Sequence, residues 1–142
     1  MLIPTCIIKF MELSLAISCL TLHQYSYDLT DLPTLMLCSG TYVAYIIVLS
    51  GEIVGEAVSA AADAYIDGWW SGCGAVLYGA CGALTLRSWR DVPKCHRRSY
   101  AQASAVCAIA AAALLTIDAL FAFCSASRDD TSTRAKSCKT NK

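Results

Sequence analysis

LMLCSGTYVAYIIVLSG, from Leu35 to Gly51, places no charged side chain on any face of a helix. At 1.5 Å per residue this run covers most of the ~30 Å hydrocarbon core of a bilayer, which a helix of about 20 residues spans fully. A helix in a soluble bundle keeps a polar stripe for water. Tyr42–Leu49 has none, and neither has Ala103–Leu115 further on. The chain is therefore read as a set of helices that meet lipid.

Working outward from this run gives four apolar segments, near Leu2–Leu22, Leu35–Val58, Trp69–Leu86 and Ala101–Phe123. They predict an all-α bundle of four transmembrane helices over residues 1–124, followed by a polar, disordered cytosolic tail over 125–142. Composition agrees: the chain is 56% hydrophobic and only 15% charged, against about a quarter charged in soluble domains. Mean hydropathy is +0.50. Asp31-Leu32-Pro33-Thr34 separates the first two segments, because proline lacks an N–H and restrains its predecessor. Trp69-Trp70 opens the third where an aromatic belt forms at the lipid–water boundary. A cleaved signal peptide would leave three spans, but Lys9 and Glu12 interrupt the apolar region that such a signal keeps whole.

Net charge is zero, so no basic field invites nucleic acid, and no nucleic-acid motif is present. The charges are segregated. No Lys or Arg lies between residues 10 and 86. Arg87, Arg90, Lys94, Arg97 and Arg98 sit between the third and fourth segments; Arg128, Arg134, Lys136, Lys139 and Lys142 sit in the tail. With Lys9 added to the tail's side, the Lys/Arg bias that sets orientation is nearly balanced. The loop after the first segment, with Tyr27 and Asp28, is acidic and favours the outside only weakly.

Ionisable groups within spans are costly and read as functional by default. Lys9 and Glu12, three apart, share a helix face and can pair. At about 100° per residue, Glu52, Glu56, Asp63 and Asp67 fall on one narrow stripe. Asp118 lies at the same end of the bundle as Lys9 and Glu52. Two readings follow. One is a cation or proton site built from Glu52, Glu56 and Asp118. The favoured one is an interfacial bundle end where carboxylates reach water and an ion pair fixes helix register.

Small residues supply a packing mechanism. Gly51 and Gly55, Gly68 and Gly72, then Ala75 and Gly79 recur at four-residue spacing, as do Ser104, Ala108 and Ala112. In lipid, close backbone approach carries much of helix association, within one bundle or between copies and partners.

Nine cysteines show no CxxC spacing, and most read as small apolar fillers. Cys38 and Cys95 would share a membrane face, and a disulfide could join them if that face is outside. Cys124 and Cys138 are candidate palmitoylation sites. No hydrolase elbow, zinc-binding histidine pair or phosphate-cradling loop occurs, so catalytic residues, metal ligands and cofactors are all expected to be absent.

Three stretches carry a resemblance: CIIKFMELSLAISCLTLH from Cys6, DGWWSGCGAVLYGACGALTLRSW from Asp67, and AIAAAALLTIDALF from Ala108. In this order they resemble the small arthropod four-pass membrane proteins of the Snakeskin, MARVEL-like type, found in smooth septate junctions. The resemblance implies a non-enzymatic protein at plasma-membrane cell–cell junctions, with cytosolic termini and two outward loops. Its partners would be the lipid bilayer and other integral membrane junction proteins, or further copies of itself. It also places the five cations of the third loop outside, a departure from the usual charge bias. The claudin pattern of Trp and paired Cys is missing from the first loop. The alternative from another class is a small channel or transporter subunit using the intramembrane carboxylates.

Overall fold

The computed structural model describes residues 2–26, 31–58 and 63–140, with side chains described for 6–26, 31–58 and 63–139. Tyr27, Asp28 and Lys142 lie outside these ranges. Four helices make up the fold: α1 (Leu2–Tyr25), α2 (Leu32–Ala57), α3 (Ala64–Ser88) and α4 (His96–Thr140). Three of them, α1, α2 and α4, are long and apolar enough to cross a membrane. Helix α3 has the length, at 25 residues, but Gly, Ser, Trp and Tyr dilute its apolar content. The fold is an all-α bundle, as the hydropathy pattern predicts.

Each helix outruns its apolar segment, because hydrogen bonding does not stop where lipid-compatible residues do. Pro33 does not delay α2 until Leu35. It occupies the first turn behind Asp31, where its missing N–H costs nothing, and Leu35 N–H already donates to the Asp31 carbonyl at 2.8 Å. The largest difference is at the C-terminus. Residues 125–140 continue α4 instead of forming a disordered tail. No Gly or Pro follows Pro93 to end the helix. The Thr131 and Thr133 hydroxyls turn back onto the Ser127 and Asp129 carbonyls, both at 2.9 Å. The side chains from Ser127 to Lys139 are exposed on all sides.

Helix α4 is the axis of the bundle: α3 and α1 both pack along it, α2 lies on α1, and the α2–α3 contact that closes the ring is the thinnest. The core pairs small residues of α1 and α4 (Ala16, Cys19, Ala108, Ala111) with aromatic rings of α2 and α3. Tyr42 and Tyr78 meet at 5.5 Å between centroids, and Tyr45 meets Tyr78 edge-on at 5.6 Å, the tilted and T-shaped arrangements that ring quadrupoles prefer. The Tyr45 hydroxyl donates to the Trp70 carbonyl at 2.9 Å. Where α1 crosses α4, the Ser104 hydroxyl donates to the Cys19 carbonyl at 3.2 Å and the Cys19 thiol returns a weak bond to the Ser104 carbonyl at 3.8 Å.

The outer surface is the reverse of a soluble protein's. Ile47, Val76, Val106, Leu120 and Phe121 are all more than half exposed. The exposed hydroxyls of Ser14, Ser18, Thr21 and Thr116 each donate to a carbonyl one turn earlier in their own helix, which satisfies them without water. A lipid bilayer is the surrounding that such a surface fits.

Candidate functional site: a buried lysine among carboxyl groups

The intramembrane polar residues converge at the end of the bundle that holds the start of α1. Lys9 is 2% exposed and reaches a carboxyl group on each of the other three helices. Its ammonium donates to Asp118 Oδ2 at 2.6 Å and to Asp67 Oδ1 at 2.9 Å, and lies 2.9 Å from Glu52 Oε2. The Ser71 hydroxyl donates to the same Asp118 oxygen at 2.8 Å and accepts a long bond from Lys9 at 3.4 Å. Charge-assisted bonds of this kind are about twice as strong as neutral ones. One side chain thereby ties α1 to α2, α3 and α4.

The expected Lys9–Glu12 ion pair is present but is the longest of four. Glu12 lies 4.0 Å from the ammonium, the most distant of the four carboxyl groups around it, because Lys9 extends away from its own helix toward the neighbours. Glu52, Glu56, Asp63 and Asp67 do not form one stripe: α2 ends at Ala57 and α3 begins at Ala64 behind its N-cap Asp63. Glu52 and Asp67 meet at Lys9 from separate helices. Glu56 is half-buried and, among the described residues, no partner is recorded for its buried Oε2. Asp67, which spacing set on a stripe with Glu52 but not in the candidate cation or proton site, is a member of the cluster. Glu52 and Asp67 are the more open members, at 17% and 24% exposed.

The small-residue positions divide. A Cβ on Gly68 would meet the Phe123 ring at 3.2 Å, and one on Gly79 would just touch Ala112 at 4.0 Å. Gly51 and Gly72 have nothing within 4 Å of that position. Gly55 and Ala75 are half-buried, and Ala75 packs on the core. The tightest approaches fall on two glycines outside the expected series. A Cβ on Gly74 would lie 2.6 Å from the Tyr45 ring, and one on Gly82 would lie 2.8 Å from Ile109 and 3.1 Å from the Ala105 carbonyl oxygen.

The Cys38–Cys95 disulfide is not formed; both are free thiols. Cys38 is fully buried nearly two turns into α2 and is turned toward α3, with its thiol 3.9 Å from the Cys81 carbonyl and 3.6 Å from the Thr85 hydroxyl. Cys95 is exposed in the loop before α4, a loop clasped by Arg98 donating to the Val92 carbonyl at 2.6 Å. A maleimide reagent is expected to modify Cys95 in the folded protein and to reach Cys38 only after unfolding. Peptide mass mapping checks this, and a Cys95 that resists until reductant is added would restore the disulfide. Cys124 and Cys138 are both exposed, but fourteen residues of continuous helix set them about 20 Å apart along α4. They cannot both lie at one membrane surface.

His23 and His96 do not come together: His23 is buried, 3.2 Å from the Ser39 hydroxyl and edge-on to Tyr42, whereas His96 is exposed at the start of α4. Among the described residues no group of His, Cys, Asp and Glu is arranged to hold a metal ion. Comparison with protein-family models, curated proteins and solved structures finds no match to this chain.

Proposed function

We propose that this chain is a non-enzymatic four-pass membrane protein that organises other membrane proteins, at cell–cell junctions as its sequence resemblance implies. The Lys9 cluster carries the reading. It ties α3, the least apolar helix, to α1 and α4 through Asp67 and Ser71, which favours α3 crossing the membrane beside them. The cluster joins helix to helix, which is what a scaffold requires. Contact with partners falls to the outer faces, the two same-side loops and the projecting end of α4. The outer face of α1 has an open apolar hollow of about 470 Å³ lined by Ile7, Phe10 and Met11 among others, suited to an acyl chain or a partner helix. The exposed cations of α4 beyond Ser127 suit anionic headgroups or a cytosolic adaptor. Cys124 is the palmitoylation candidate near the boundary.

The test is epitope accessibility in intact epithelial cells, with one tag in the Lys94–Arg98 loop and one at the C-terminus. An outward loop, an inward tail and enrichment at lateral contacts are expected. A cytosolic loop, or retention in internal membranes, would overturn the junction reading. The excess of carboxyl groups over ammonium at Lys9 favours a second reading, a channel or transporter subunit using Glu52, Glu56 and Asp118. Under the scaffold reading, Glu52→Gln leaves cation flux through proteoliposomes at the wild-type level. A flux present in wild type and abolished by Glu52→Gln would establish the second reading instead.

A further inference from the structure

One ammonium cannot serve four carboxyl groups equally, and Glu12 is the one served least. Its side chain is 1% exposed, and among the described residues neither Oε1 nor Oε2 has a hydrogen-bond partner. The Lys9 ammonium, 4.0 Å from Oε2, is engaged at shorter range by Asp118, Asp67 and Glu52. Glu12 faces a carboxyl group from every other helix, Glu52 on α2, Asp67 on α3 and Asp118 on α4, with Tyr78 of α3 also within electrostatic reach. A buried carboxylate without hydrogen bonds, beside others of its own sign, is the species that burial and repulsion both disfavour.

We propose that the Glu12 carboxyl group is a proton-binding site, occupied in the folded bundle at neutral pH. Glu12 is then a neutral acid, and Lys9 is left to Glu52, Asp67 and Asp118. The ligand is a proton rather than a metal ion because the Lys9 ammonium already fills the centre of the cluster. The partly exposed Glu52 and Asp67 link the site to the end of the bundle and give the proton its route. Docking of α1 against its neighbours accordingly takes up a proton, and separation of α1 releases it.

The sequence makes this directly testable, because Glu12, Glu52 and Glu56 are its only glutamates. The full chain would be carbon-13 labelled at the glutamate carboxyl carbon, placed in lipid nanodiscs and observed by NMR at neutral pH. A carboxylic-acid signal beside the carboxylate signals is expected, lost in Glu12→Gln and kept in Glu52→Gln and Glu56→Gln. Carboxylate signals alone in the wild type would overturn the proposal, as would an acid signal that disappears with Glu52 or Glu56. Glutamine imitates the neutral acid in size and charge, so Glu12→Gln is expected to fold with the wild-type thermal midpoint. A Glu12→Gln chain that fails to fold would count against the proposal.

Discussion

Lys9→Met is expected to destabilise the bundle by about 3–5 kcal/mol, the usual cost of removing one partner from a buried ion pair. Methionine fills much of the same volume but leaves Glu52, Asp67 and Asp118 facing one another without a cation. Asp118, 5% exposed, has the least access to water to offset this. Unfolding in mixed micelles with increasing denaturing detergent would measure the loss. Adding Asp118→Asn to Lys9→Met should recover part of the loss, whereas Lys139→Met on the exposed end of α4 should stay within about 0.5 kcal/mol of wild type. Equal stability of Lys9→Met and wild type would mean that the cluster does not hold the helices together.

Gly82→Ala should be a disruptive single-methyl change at the α3–α4 crossing. Its new carbon would stand 2.8 Å from Ile109 Cγ1, which can rotate, and 3.1 Å from the Ala105 carbonyl oxygen, which cannot. The α3–α4 crossing must widen, at a cost of about 1–3 kcal/mol for overpacking. Shortening Ile109 to valine would relieve only the side-chain part. Gly72→Ala is the matched control, since its added carbon meets nothing within 4 Å. If a larger residue at Gly72 impairs assembly in cells while leaving the isolated bundle stable, the Gly72 face contacts another molecule. Similar unfolding midpoints for Gly82→Ala and Gly72→Ala would show that the crossing is looser than its geometry implies.

The helices and their number were legible from hydropathy, because lipid demands continuous apolar length and little else. Their ends were less so. Arg128–Lys139 is polar enough to look like a tail, yet polarity does not prevent a helix, and only a breaker or a competing cap ends one. The site was half legible. Lys9, Glu52 and Asp118 could be assigned to one end by counting along each segment, but the choice of Lys9's partners depends on how each helix is rotated about its axis. The glycines illustrate the same limit. Gly68, Gly72, Ala75 and Gly79 cluster on one side of α3 and only Gly68 of them is buried, while the rest of the buried face runs through Ser71, Gly74, Tyr78, Cys81, Gly82 and Thr85, about a quarter turn away. The signal that would have found this face was the Gly74–Tyr78–Gly82 register, with the aromatic ring set between two small residues.

The position of Lys9 in the chain also bears on biosynthesis. Helix α1 leaves the ribosome before the other three, carrying a lysine that lipid tolerates poorly at depth, and the closest acceptor for that lysine is Asp118 on α4, made after the other three helices. Until then α1 has only provisional partners, and its natural waiting place is the insertion machinery or the headgroup layer. A nascent chain released before residue 118 would lack that acceptor and present a lysine only partly satisfied, by Glu52 and Asp67, to whatever inspects unassembled membrane segments. The cluster that joins the finished helices would then also mark unfinished chains for removal.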